Sequence, residues 1–210
     1  MIASLLLALA PSALPQQSSS QAPQENTPPP QLAARTPSSP FSYTYAQFDI
    51  VRGDGHGYDS GPTGIDLHGA YEFQQGLFVF GGWTHLGGDV GNASPDTDVL
   101  AIGLGFHTPV NPRTDLVFGV DLAHAHTNTG ATGGAANGDG YGFDVTLRHL
   151  ATDQFELNGG LGYSDFNDSD SQTNLHVGAI FRATQNLGVC LNLSTSDDLN
   201  SIAIGLRYQP

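Results

Sequence analysis

The sequence predicts an all-β fold: a closed, antiparallel, up-and-down transmembrane β-barrel of about ten strands, eight being the alternative count, behind a secretory leader and a disordered linker. Three observations predict it. From Phe41 onward, apolar residues recur at every second position, with Gly, Ala or polar residues between them. Charged residues make up 12% of the chain, against about 25% in an ordinary soluble domain. The connections between the alternating segments are short and long by turns, the asymmetry of a barrel with tight turns on one side of a membrane and loops on the other.

The alternation is sustained. Leu100, Ile102, Leu104 and Phe106 are interleaved with Ala101, Gly103, Gly105 and His107, and Ile202, Ile204, Leu206 and Tyr208 with Ala203, Gly205 and Arg207. A period of two places one set on each face of a strand. A greasy face backed by a small, polar one suits a wall between lipid and lumen. No apolar run reaches the ~18 residues of a spanning helix, whereas a barrel strand needs only about 9–11 residues, half of them facing lipid.

Composition narrows the function classes. The 27 glycines are roughly twice the usual share. All six basic residues are Arg, and 20 acids bring the net charge to −14. Nucleic acid is excluded as a partner, because phosphate binding depends on Lys and Arg. The lack of Lys also argues against the water-facing exterior of a cytosolic enzyme. The single cysteine, Cys190, rules out an internal disulfide and reads as a small packed residue.

Residues 1–15 read as a signal peptide: Ile2 to Ala10 is an apolar run followed by small residues, although no Lys or Arg precedes it. Residues 16–40, rich in Pro, Gln and Ser, carry no apolar period and read as an extended linker, a tether or a plain spacer. The barrel is expected over 41–210, with strands at 41–52, 63–74, 77–86, 97–108, 114–126, 140–151, 155–166, 173–183, 187–195 and 200–208. Short turns fall at Gln75-Gly76, around Thr152-Asp153 and at Thr184 to Asn186, with a longer one at Thr108 to Arg113. Long loops fall at Gly53 to Pro62, Gly87 to Asp96, Thr127 to Asp139 and Asn167 to Gln172. An even strand count leaves both chain ends on the short-turn side. Trp83, Tyr43, Tyr45, Tyr71, Tyr163 and Tyr208 lie near strand ends, where interface aromatics belong.

Three segments carry a family resemblance: Phe78-Val79-Phe80-Gly81-Gly82-Trp83, Asn111-Pro112-Arg113-Thr114-Asp115-Leu116-Val117 and Asp139-Gly140-Tyr141-Gly142-Phe143. Over residues 41–210 the chain resembles the small outer-membrane β-barrel proteins of Gram-negative bacteria, in particular the ten-stranded, quorum-sensing-linked outer-membrane proteins. The resemblance implies residence in the cell outer membrane and contact with its lipid and lipopolysaccharide. It also implies handling by the barrel-assembly machinery, which reads a terminal aromatic; here Tyr208 is followed by Gln209-Pro210. It carries no catalytic residue and no cofactor.

With the greasy face outward, Glu72, Arg148, Arg182 and Arg207 near the ends of descending strands and Glu156 near the start of an ascending one converge inside the short-turn end. Unpaired charges in a narrow, partly dry lumen are costly, so a mutual network is expected. It reads as a plug or as a selective constriction; the plug is the stronger reading, because ten strands leave little room once side chains fill the lumen. Asp121 and Asp144 face the same lumen from adjacent strands, and Asp66 and His68 share a face. The outer loops carry Asp54, Asp59, Asp89, Asp96, Asp98, Asp139, Asp168, Asp170, Asp197 and Asp198. This carboxylate collar can hold divalent cations or draw cations inward. The same residues also make good solvated turns. His124 and His126 share one face and are the available imidazole ligands, but no third ligand has recognisable spacing, so no metal site is assigned.

The expected function is structural or surface-interacting, with a charge-plugged lumen and no enzymatic activity. The alternatives are a small-solute channel with mild cation preference, a barrel hydrolase and a soluble calycin-like ligand binder. No Ser sits in a nucleophile motif beside a base. The calycin-like reading needs the apolar rows turned inward and a Lys-free, Gly-rich surface in water.

Overall fold

The computed structural model describes residues 38–55, 60–89, 94–128, 135–167, 171–196 and 199–210. The expected signal peptide, most of the expected linker, and Asp59, Asp168, Asp170, Asp197 and Asp198 lie outside the described residues. Ten strands are present among the described residues: β1 (Tyr45–Gly55), β2 (Ser60–Gln74), β3 (Leu77–Asp89), β4 (Asp96–Asn111), β5 (Thr114–Asn128), β6 (Ala135–Leu150), β7 (Phe155–Phe166), β8 (Gln172–Arg182), β9 (Leu187–Ser196) and β10 (Leu199–Tyr208). Each pairs antiparallel with its sequence neighbours, and β1 pairs with β10 to close the sheet. Closure matters because lipid offers no partner to an open row of backbone N–H and C=O groups.

The register fixes which face meets hydrocarbon. Leu100 lies between Trp83 and His124, Ile102 between Gly81 and Leu122, and Ile204 between Ile50 and Leu191. Paired residues share a face, so these rows form one continuous outer surface. Ile102 is 64% exposed and Leu122 68%, values that make sense only against lipid. The large apolar side chains of these rows stay exposed, while Gln47, Asp49, His107, Asp115, Arg148 and Glu156 are buried inside beside a small apolar cluster. The calycin-like arrangement is thereby overturned.

Glycines make room for the filling. The Phe78 and Phe80 rings lie across Gly105 and Gly103 of the neighbouring strand, where any Cβ would overlap them. Gly76, in the β2–β3 turn, has φ +82°, which an L side chain resists.

Three local expectations are corrected. Residues 41–44 alternate like strand, yet β1 starts at Tyr45. Here Ser39 Oγ and Ser42 Oγ accept the Phe41 and Thr44 amides, local turns that replace ladder bonds. Tyr43 and Tyr45 face the lumen and not the membrane interface; Tyr43 belongs to a buried cluster with Phe41, Ala70, Phe78, Val117 and Leu150, and Tyr45 packs against it. The Thr108 to Arg113 connection is a two-residue turn at Pro112-Arg113, because β4 continues to Asn111 through a register shift at Pro109, which has no N–H to give the ladder.

Candidate functional site

The lumen has two zones. At the short-turn end it is filled. The segment before β1 turns inward, so that Phe41 and Tyr43 sit among the strands. Arg148 of β6 lies between their rings, its guanidinium carbon 4.6 Å from the Phe41 centroid and 4.7 Å from that of Tyr43. Its Nε donates to Glu156 Oε1 at 2.7 Å, and Arg182 Nη2 donates to Glu156 Oε2 at 3.3 Å. Glu156 is 1% exposed, so these two cations are what make its burial tolerable. Arg148 Nη1 also reaches the Ser42 carbonyl at 3.4 Å, tying the inward segment to the barrel wall.

A second cluster abuts the first. Asp115, 0% exposed, accepts from Ser39 Oγ at 2.5 Å and from the Tyr43 hydroxyl at 3.0 Å. His107 stacks on the Tyr43 ring at 3.7 Å, with Nδ1 3.2 Å from Asp115 Oδ2 and Nε2 3.2 Å from Glu72 Oε1. Desolvation by burial pushes the Tyr43 phenol well above its ordinary pKa. It therefore stays a neutral donor to Asp115.

The sequence-predicted network is thus only partly one unit. Arg148, Glu156 and Arg182 meet. Glu72 instead binds His107 and accepts the Gly76 amide at 3.0 Å. Arg207 bonds Gln47 Oε1 at 2.6 Å and lies 4.0 Å from the Tyr45 ring centroid, a clasp across the β1–β10 seam. Asp121 and Asp144 stand higher in the lumen, since the chain rises about 3.3 Å per residue along a strand. Asp144 accepts from Thr146 Oγ1 at 2.5 Å, and Asp121 lies against Gly142. Sequence reasoning missed Gln47, Asp49, His107 and Asp115. All four were accessible by parity: each alternates with outward residues such as Phe48, Phe106 and Phe118.

Above the filled zone lies a cavity of about 620 Å³, whose lining includes Asp49, Asp66, His68, Asp144, Thr146 and His176. Here His68 Nδ1 is 2.6 Å from Asp66 Oδ2 and 3.8 Å from Asp49 Oδ2. Across the lumen, His176 Nε2 is 2.9 Å from Thr146 Oγ1, and its Nδ1 is 3.6 Å from Asp144 Oδ2.

The acidic collar is corrected in position. Asp54, Asp89, Asp96, Asp98 and Asp139 lie in the outer ends of strands and not in loops. Asp98 and Asp139 continue the outward rows of Leu100 and Tyr141, so they sit on the outer wall. His124 pairs with Asp139 at 2.7 Å and His126 with Asn137 at 2.6 Å. Neither joins a three-ligand group among the described residues, whereas His85, Asp96 and Asp98 do. Trp83 Nε1 donates to Asp98 at 3.0 Å.

The family model described as "Outer membrane protein beta-barrel domain" matches residues 3–182. No curated protein matches the chain. Among solved structures, the chain is similar to the KdgM porin in complex with disordered oligogalacturonate, at 9% identity and TM-score 0.49, covering 79% of this chain and 99% of that one. It is also similar to Neisserial surface protein A, at 12% identity and TM-score 0.46, covering 80% of this chain and 98% of that one. A third is Ail, the attachment invasion locus protein of Yersinia pestis, at 14% identity and TM-score 0.40, covering 79% and 95%.

Proposed function

This chain belongs to the outer membrane protein β-barrel family, and on that premise we propose that it is a non-enzymatic barrel whose lumen is closed at the short-turn end. Its role is structural or one of surface contact. The leader would carry it across the inner membrane, and its outward rows would contact outer-membrane lipid and lipopolysaccharide. The observation that supports closure is the inward segment: Phe41 and Tyr43 clamp Arg148, which is bonded to Glu156.

The lumen trio nearest to hydrolytic geometry is Thr146–His176–Asp144. Catalysis of that kind needs the hydroxyl hydrogen-bonded to the imidazole as base, and the imidazole oriented by the carboxylate. Here the Thr146 hydroxyl proton goes to Asp144 instead, and Asp144 stands 3.6 Å from His176 Nδ1, too far to orient it. This supports the non-enzyme reading.

Passage of small solutes with mild cation preference is the second reading, favoured by a cavity lining in which Asp49, Asp66, Asp144 and Glu156 outnumber Arg148 and Arg207. Planar-bilayer recording separates the two. The wild-type protein should insert silently, and Phe41→Ala with Tyr43→Ala should give discrete current steps. Steady wild-type current would establish the channel instead, and silence of the double variant would show that the segment is not what closes the lumen.

A further inference from the structure

We propose that Asp49, Asp66 and His68 form a binding site for a divalent transition metal of the Zn²⁺ class, facing the lumen cavity. The site lies on β1 and β2, where the register sets Asp49 directly opposite Asp66, with His68 opposite Gln47. One ligand atom from each of the three residues lies within 4.8 Å of the others. A tetrahedral ion about 2.0–2.2 Å from each ligand needs ligand atoms about 3.4 Å apart. The separations from His68 Nδ1, 2.6 Å to Asp66 and 3.8 Å to Asp49, straddle that value. Small side-chain rotations therefore suffice to admit the ion.

Burial supplies an independent argument. Asp49 is 1% exposed; its Oδ1 lies over Gly205 of β10 with no hydrogen-bond partner, while Oδ2, on the His68 side, receives the neutral Gln47 amide at 2.7 Å. A desolvated carboxylate served by one neutral donor is under-compensated, and a cation held at Oδ2 and shared with Asp66 and His68 would balance its charge. The surroundings are those of a built site. Thr84 Oγ1 donates to Asp66 Oδ1 at 2.7 Å, Gln47 holds Asp49, and the Tyr45 ring packs edge-on to the His68 ring at 5.9 Å. Ligating carboxylates fixed by such outer hydrogen bonds are the rule in metal centres. The remaining coordination position opens onto the cavity, where water or a small solute completes it. One imidazole with two carboxylates favours Zn²⁺ or its first-row neighbours over Ca²⁺, which prefers oxygen alone. The inference stands whether or not the lumen conducts.

The test uses the full chain refolded in detergent, its folding verified by heat-modifiable gel mobility. Titration with Co²⁺ should give visible absorption bands saturating at a 1:1 site, displaced by Zn²⁺. His68→Ala, and separately the near-isosteric Asp66→Asn and Asp49→Asn, should weaken that binding at least tenfold. His85→Ala, which removes the outer-wall imidazole beside Asp96 and Asp98, should leave it unchanged. Absence of saturable binding in the wild type overturns the proposal. So does binding that survives in the lumen variants, or that disappears with His85→Ala.

Discussion

Replacing Arg148 by Met keeps the bulk of the side chain and removes its charge. Glu156, 1% exposed, is then left with Arg182 as its one directly paired cation, at 3.3 Å, and with Arg207 acting from beyond contact. Breaking a buried pair by removing one partner costs about 3–5 kcal/mol, because the survivor stays desolvated. The two ring contacts on the guanidinium add about 0.5–2 kcal/mol. Adding Glu156→Leu removes the orphan, so the double variant should recover most of the loss. A coupling energy of about 3 kcal/mol is then expected from the cycle. Urea unfolding of the detergent-refolded protein, followed by emission of the single tryptophan, Trp83, measures each term, and gel mobility confirms the folded form. A loss below about 1 kcal/mol, the range of exposed pairs, refutes the claim that this ion pair is dry. A double variant no more stable than Arg148→Met refutes the claim that the orphaned Glu156 is the source of the cost.

A side chain at Gly205 would overlap Asp49 Oδ1 and the Phe48 carbonyl oxygen. Gly205→Val should therefore abolish the heat-modifiable folded band, and a normal band would show that the β1–β10 seam is slack. Ile102→Arg puts a charge on the lipid-facing wall and should cost about 2–4 kcal/mol near mid-membrane; a neutral result in urea unfolding would mean that this row is not in hydrocarbon. Asp144→Asn should leave ester and peptide hydrolysis at the wild-type background, and a clear drop would revive the hydrolase reading.

The membrane-facing half of the barrel was legible because lipid imposes a strict code. Leu100, Ile102, Leu104 and Phe106 can read as nothing but one apolar face, and the strands they mark are where the alternation put them. Beyond the hydrocarbon that code lapses. Asp96 and Ala135 to Asp139 are strand although their composition reads as loop, because ladder pairing with β5 holds them, joined by polar contacts such as His124–Asp139 and His126–Asn137 and not by an apolar row. Phe41 and Tyr43 misled in the opposite sense: two apolar residues with one between fit a strand edge as well as an inward tail, and only the partner surface decides. Arg148 and Glu156 could be matched from their distance to a shared turn. Arg207 could not, since its partner Gln47 is uncharged and lies at the far end of the sequence.

That last contact has a bearing on biogenesis. Gln47 and Arg207 are 160 positions apart, and the strands bearing them are the first and the last to be synthesised. Until the final hairpin arrives, the nascent sheet has two raw edges, each a template for mispairing. Pairing β1 with β10 removes both edges at once, and the Arg207–Gln47 clasp can form only with that pairing.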